Sequence, residues 1–304
     1  MADLSVKIAG VEFKNPVITA SGCFGFGEDY TDFYPVSRLG GMSLKGTTLE
    51  PRAGNPPVRI AETPSGILNS VGLQNPGVDA LVNSYLPRIK DSGTVVIANI
   101  AGSTVEACRD AVEKACADGI DMIELNISCP NVKEGGIAFG VKEESVRQVV
   151  GEVRKVCTKP LIVKLSPNVT DIVSIAKAAQ SAGADALSLI NTMLGMRIDI
   201  NTRRPVLHNN VGGLSGPAVF PVALRMVWQV AKAVDVPVIG LGGVATWKNA
   251  VEMLLAGACA AQVGTAMFAD PMAPVKIVDG LEKWMDDNGI TSLNEIIGKV
   301  EVWG

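Results

Sequence analysis

The sequence predicts a parallel (β/α)8 barrel of the TIM type, and three observations carry that prediction. Eight short β-rich apolar runs recur along the chain, helical periodicity separates them, and the runs are apolar at nearly every position rather than alternating. A strand that is apolar on both faces is buried on both faces, the condition of a parallel sheet covered by helices. Eight such units over roughly 250 residues suit a closed barrel better than an open, doubly wound sheet. No linker or break in composition interrupts the 304 residues, so 1–304 reads as one domain.

In chain order, LSVKI and VEF flank Ala9-Gly10 and predict an N-terminal β-hairpin within the first fifteen residues. The eight runs follow: PVITAS (16–21), GMSLKG (41–46), TVVIANI (94–100), MIELNIS (122–128), PLIVKLS (160–166), ALSLINT (186–192), PVIGLGG (237–243) and AAQVGTAM (260–267). Helices are predicted over 104–118, 143–156, 170–182, 218–234 and 246–256. In the third of these, Ile172, Ile175, Ala176 and Ala179 keep the i, i+3, i+4, i+7 spacing of a buried helix face. Thr170 and Asp171 stand where an N-cap and a first-turn acid belong, with Gly183 at the C-terminal end. Three connections are too long for plain βα loops: 47–75, 130–141 and 193–216. Each follows the C-terminal end of a strand, the face on which barrel enzymes build their sites. Long insertions there imply a covered, water-excluding cleft.

The composition excludes several classes of function. The chain is 47% hydrophobic and 19% charged with a net charge of −4, so neither nucleic acid nor an anionic membrane surface is an expected partner. Its apolar runs fall short of a membrane span, and MADLSVKIAG has no secretory h-region. Cys23, Cys108, Cys116, Cys129, Cys157 and Cys259 are scattered without a CxxC, and there is one histidine. That pattern speaks against zinc or iron–sulfur ligation, a disulfide framework and Ser–His–Asp catalysis. The expectation is a reduced, cytoplasmic, metal-free chain.

The strand ends carry the chemistry. The runs finish on Ser21-Gly22, Lys45-Gly46, Asn99, Asn126, Lys164, Asn191-Thr192, Gly242-Gly243 and Gly264-Thr265. A buried strand has no structural need for lysine or asparagine at such positions, because an unpaired polar group there costs about 1–3 kcal/mol. A ligand that pairs with them removes the cost. The last two runs end in GLGG and VGT ahead of helix signals, the usual phosphate site of such barrels. Lys45 and Lys164 suit an electron-rich ring whose reduced form is anionic. A salt bridge to Glu124 inside the barrel is the alternative. The segment IELNISCPNVKEGG, 123–136, adds a thiol, Cys129, at a strand end between two amides and under a glycine-rich loop. That is the place of a proton-transfer residue, although free cysteines are more often buried hydrophobes. No GxGxxG follows a strand and no P-loop is present, so a nicotinamide site is either unrecognisable here or on another chain.

The motifs NISCPN (126–131), LKGTTLEPRAGNPP (44–57), ILNSVGLQNPG (67–77), VKLSPN (163–168), INTMLGM (190–196), GGLSGPA (212–218) and GLGGV (240–244) closely resemble dihydroorotate dehydrogenases. They look most like the catalytic subunit of class 1B, in order along nearly the whole chain. Cysteine at position 129 separates it from the membrane-associated class 2 enzymes, which carry serine there. His208-Asn209-Asn210 departs from the glycine-containing stretch expected at that place.

The resemblance implies one FMN per chain. Ser21, Lys45, Gly46, Asn99, Asn126, Lys164 and Ile190 would line its ring and ribityl chain, and Gly216, Gly242, Gly243, Gly264 and Thr265 its phosphate end. Dihydroorotate would be held by Lys45, by Asn69, Ser70, Val71, Gly72 and Leu73, and by Asn126, Asn191 and Thr192. Cys129 would take the C5 proton while a hydride leaves C6. Class 1B further implies a partner subunit carrying FAD and a 2Fe–2S cluster that reduces NAD, in a heterotetramer of two catalytic and two electron-transfer chains. A fumarate-using class 1A enzyme, a dihydropyrimidine dehydrogenase-like enzyme and a flavin-free phosphate-binding barrel stay open as alternatives.

Overall fold

The computed structural model describes residues 2–128 and 139–303. Eight parallel strands close into a barrel in sequence order: Val17–Thr19, Gly41–Ser43, Val95–Ile100, Met122–Asn126, Leu161–Lys164, Ala186–Leu189, Val238–Leu241 and Ala260–Val263. Each falls inside one of the eight apolar runs, and nearly every residue in them is buried. Their one-residue-per-step parallel ladders, such as Ile97↔Met122 and Leu125↔Val163, leave no free edge.

The N-terminal hairpin pairs Val6–Ile8 with Val11–Phe13, and Ala9 and Gly10 turn at φ 48° and 89°. Two successive positive φ values give a turn whose twist matches that of the strands. Phe13 is buried beside Gly41, where an added Cβ would sit 2.8 Å from its ring, so the hairpin packs at the N-terminal end of the second barrel strand.

All five predicted helices form, over Val105–Ala115, Glu143–Arg154, Ile172–Ser181, Phe220–Ala231 and Trp247–Leu255. One cap differs from expectation. Asp171, not Thr170, is the N-cap, and its carboxylate accepts from the Val173 and Ser174 amides at 2.9 and 3.3 Å. An Asp side chain reaches the free first-turn donors as well as a Thr does, and Asp171 has the extended backbone of a cap. The run 260–267 is also not one strand. It stops at Val263, and Ala266–Ala269 is a helical turn.

Two further helical stretches have no counterpart in the sequence-based expectations: Val78–Ile89, which contains a π-helical turn at Leu81–Tyr85, and Ala273–Asp287. The long connections are likewise more ordered than loops. Ile60–Thr63 and Gly66–Asn69, from 47–75, join Met193–Gly195 and Gly212–Ser215, from 193–216, in a four-stranded antiparallel sheet. This cap sheet stands at the C-terminal mouth of the barrel. Most of the third connection lies outside the described residues. Among the described residues, no helix is long and apolar enough to cross a membrane.

Candidate active site

One cleft runs across the C-terminal mouth under the cap sheet, with about 1500 Å³ of atom-free space including the part open to solvent. Residues at or just past the C-terminal end of each barrel strand line it: Ser21, Lys45 and Gly46, Asn99, Asn126, Lys164, Ile190 to Thr192, Gly242 and Gly243, and Gly264 and Thr265. The cap sheet and its flanks add Asn69, Val71, Gly72, Leu73 and Gly216. The parallel barrel brings these together because every strand points its last residue at the same face.

Ser70 departs from expectation and does not line the cleft. Its main chain is fixed instead, with its N–H donating to Arg59 O at 2.7 Å and its carbonyl accepting from Asn55 Nδ2 at 2.9 Å. The Ser70 side chain is buried behind the wall. Cys129 lies outside the described residues, three positions after Asn126 and directly after Ser128.

Beneath the cleft, four neutral side chains converge on one carboxylate. Glu124 is completely buried in the fourth barrel strand. One of its oxygens accepts from Ser188 Oγ at 2.8 Å and Gln262 Nε2 at 2.9 Å, the other from Ser43 Oγ at 2.9 Å and Asn99 Nδ2 at 2.6 Å. Lys164 Nζ stands 3.9 Å from the second oxygen and donates to Ser21 Oγ at 3.2 Å. Burial alone would push the Glu124 pKa up. The Lys164 charge and the hydrogen bonds from Ser188, Gln262 and Asn99 outweigh it, and the carboxyl is held below its ordinary value. The Glu124 alternative raised by the sequence is therefore realised for Lys164 and not for Lys45.

Lys45 is half-buried, and its ammonium has no hydrogen bond or ion pair among the described residues. Burial lowers its pKa, and the Arg59 charge adds to that while Cys23 opposes it. Cys23 also lines the cleft. Burial pushes its thiol up to about 11 against the pull of Lys164 and Lys45, so it is a poor base at neutral pH. Two buried acceptors on the wall, Asn99 Oδ1 and Gln262 Oε1, have no partner among the described residues. Gly46 leaves Asn99 its room, because a Cβ there would lie 2.9 Å from Oδ1.

Nearer the surface, Asn126 Oδ1 accepts from the Ser128 N–H at 3.2 Å, Ser128 Oγ at 2.6 Å and Asn191 Nδ2 at 3.3 Å. Asn191 Nδ2 also donates to Ser128 Oγ, and Asn191 Oδ1 accepts from the Thr192 N–H at 2.7 Å. With its oxygen saturated, Asn126 presents its amide N–H groups to the cleft. Asn69 is set the other way: its Nδ2 donates to Gly213 O at 3.4 Å and leaves the oxygen to accept. At the far end, Gly216, Gly242 and Gly243 have φ of 103°, 116° and 75°, a backbone only glycine takes without strain. Thr265 Oγ1 donates to Ser215 Oγ at 2.8 Å, joining the eighth strand's turn to the cap sheet.

Sequence reasoning missed Gln262, Ser43 and Ser188. Their signal was a polar residue in the middle of an apolar run, as in AAQV, rather than at its end. Among the described residues, no three His, Cys, Asp or Glu side chains are grouped to hold a metal ion.

Comparison with known proteins accords with this geometry. The model of the family described as dihydroorotate dehydrogenase matches residues 3–285. A protein of Bacteroides thetaiotaomicron named dihydroorotate dehydrogenase B (NAD(+)), catalytic subunit, is 57% identical over 303 residues, 99% of this chain and 100% of the relative. Proteins of the same name from Petrotoga mobilis and Thermoanaerobacter pseudethanolicus are 54% and 50% identical, over 98% and 99% of this chain and 99% of each relative. The chain belongs to the dihydroorotate dehydrogenase family.

Proposed function

We propose that this chain oxidises dihydroorotate to orotate for pyrimidine biosynthesis, with FMN bound in the cleft and NAD as the final acceptor through a partner subunit. The observation that carries the substrate assignment is Lys45, a half-buried cation with no counter-ion among the described residues, facing a wall of fixed amides. A cyclic ureide with a carboxylate needs one cation, donors for its carbonyls and acceptors for its N–H groups. Lys45, the Asn126 amide N–H groups and the Asn69 oxygen supply these in turn. Uracil or thymine, the substrates of the dihydropyrimidine dehydrogenase-like alternative, would leave Lys45 unpaired.

The cleft also fits the flavin. The unpaired acceptors Asn99 Oδ1 and Gln262 Oε1 suit ring N–H groups, and Lys164 adds a cation already fixed by Glu124 and Ser21. Gly216, Gly242, Gly243, Gly264 and Thr265 would bring main-chain N–H groups to the phosphate. When bound, FMN supplies the hydride acceptor. Cys129 would remove the C5 proton, and the bonds of Ser128 and Asn126 fix the chain just ahead of it.

Of these glycines, Gly243 is a poor probe of phosphate binding. Its φ is positive, and a Cβ would meet Phe220 Cβ at 2.7 Å, so a side chain strains the fold itself. Gly264 has an ordinary φ, and its Cβ would meet Ala20 Cβ at 3.3 Å and Cys23 Sγ at 3.4 Å. Gly264→Val is therefore expected to fold and to purify colourless, as read by circular dichroism and flavin absorbance. A folded, fully yellow variant places the phosphate elsewhere.

Lys45 and Lys164 should separate in their effects. Lys45→Ala is expected to raise the orotate Kd about ten- to a hundredfold, the loss of a hydrogen bond to a charged group of about 1.5–3 kcal/mol. Lys164→Ala should leave orotate affinity within a few-fold and shift the flavin potential to more negative values. Titrating flavin absorbance with orotate reads the first effect, and equal weakening in both variants contradicts the division.

The partner assignment rests on relatives whose name contains both NAD(+) and catalytic subunit. The partner would carry FAD and a 2Fe–2S cluster, two such chains joining two of this one. Its cluster must approach the flavin, and the exposed Ile60 and Phe268 on the rim of the cleft offer apolar surface for that contact. Assays of the purified chain with dihydroorotate decide the acceptor. We expect reduction of an artificial dye, no NAD reduction without the partner, and negligible fumarate turnover. Brisk fumarate reduction instead makes it a class 1A-type enzyme.

A further inference from the structure

At the N-terminal end of the barrel, opposite the cleft, two cysteines from different βα units touch. Cys116 is the C-cap of the helix Val105–Ala115, and Cys157 lies between the helix Glu143–Arg154 and the strand Leu161–Lys164. Their sulfurs are 3.9 Å apart, 41 residues apart in sequence. Both are free thiols. Cys116 is half-exposed and Cys157 buried.

We propose that Cys116 and Cys157 are a peroxide-responsive dithiol, in which Cys116 meets the oxidant and Cys157 resolves it into an intramolecular disulfide. Three features separate the roles. Of the two, Cys116 is the one open to a dissolved oxidant. Its sulfur is also the better place for a negative charge: the Cys157 thiol beside it lowers its pKa, and hydrogen bonds from Thr158 and Lys159 add to this against the cost of burial, bringing it to about 5. Cys157 is shifted the other way by the same contact and by burial, and its S–H lies 3.3 Å from Lys159 O. The pair thus sets an accessible sulfur in contact with a buried one, the arrangement that a resolving step needs.

The chemistry balances without a further reagent. The Cys116 thiolate attacks one peroxide oxygen, the O–O bond breaks, and hydroxide leaves and takes up a proton. The resulting Cys116 sulfenic acid is attacked by Cys157 sulfur. The S–O bond breaks, the S–S bond forms, and a second water leaves with the Cys157 proton. Two thiols lose two electrons and one peroxide gains them. The sulfurs must close from 3.9 Å to about 2.05 Å. Both lie on connecting segments beyond helix ends, where side-chain rotation and a small main-chain shift accomplish this.

The other described cysteines provide an internal comparison. Burial pushes Cys23 up to about 11, and Cys108 and Cys259 up to about 12, so all three stay protonated and slow. The test uses the purified full-length protein treated with equimolar hydrogen peroxide, blocked with iodoacetamide and digested without reductant. Mass spectrometry should find a Cys116–Cys157 linked peptide pair that dithiothreitol abolishes, with Cys116 consumed at least ~10-fold faster than Cys108 or Cys259. In Cys157→Ser the link should vanish and dimedone should label Cys116. In Cys116→Ser, Cys157 should remain a thiol. Circular dichroism checks that both variants fold, and the wild-type mapping does not depend on them. Full alkylation of both residues after peroxide overturns the proposal, as does a disulfide joining Cys116 to any other partner.

Discussion

Cys129→Ala is expected to bind FMN normally and to reduce it with dihydroorotate about 10² to 10⁴ times more slowly, the usual size of a general-base contribution. Among the described residues, no thiol of the cleft wall is a substitute at neutral pH. Cys23, a thiol that lines it, is held protonated by burial. Cys129→Ser should be nearly as slow at pH 7 and should regain rate as the pH rises, because a hydroxyl is a far weaker acid than a thiol of pKa about 8.5. Rapid-mixing measurement of flavin bleaching gives both rates. A Cys129→Ala protein that bleaches at the wild-type rate removes the thiol from the mechanism.

The largest effect on stability should come from Glu124. In Glu124→Ala, Lys164 keeps a buried charge without its partner, and Ser43, Asn99, Ser188 and Gln262 lose their common acceptor. Breaking one side of a buried pair typically costs about 3–5 kcal/mol. Urea denaturation at pH 7 should show that loss as a lower midpoint, and an unchanged midpoint refutes it. The pH dependence has a defined sign. The folded Glu124 pKa lies below its ordinary 4.5, so its contribution is complete above that value and disappears as pH falls through the folded pKa. The gap between wild type and Glu124→Ala should therefore be constant near neutrality and narrow only in acid below 4.5. Glu124→Gln, which keeps an acceptor for two of the donors, should fall between them.

The barrel was legible because its strands are buried on both faces and so leave continuous apolar runs bounded by turn residues. The cap sheet was not. Ile60–Thr63 alternates exposed and half-buried residues over four positions, and Gly212–Ser215 is glycine-rich, so neither carries the apolar signal of a strand. Gly212–Ser215 owes its structure to Gly66–Asn69, far away in the chain, and Ile60–Thr63 to its hairpin with that same strand. The site divides in the same way. Lys45, Asn126 and Asn191 announced themselves as polar groups at the ends of apolar runs. Gln262 sits inside its run, and only the closed barrel shows that it meets Glu124 from the opposite wall.

The cap sheet has a consequence for redesign of the enzyme. Its ladder runs from Met193–Gly195 through Gly212–Ser215 and Gly66–Asn69 to Ile60–Thr63, so two insertions distant in sequence share one set of hydrogen bonds. Asn69 hangs from that ladder by its bond to Gly213 O, and Thr192 fills the space beside Gly213 where a Cβ would fall 2.0 Å from its hydroxyl. A loop transplanted alone from an enzyme that takes another ring would meet a partner strand of the wrong register, and a one-residue slip turns every side chain to the opposite face. The two insertions are thus a single heritable module, to be exchanged together or left in place.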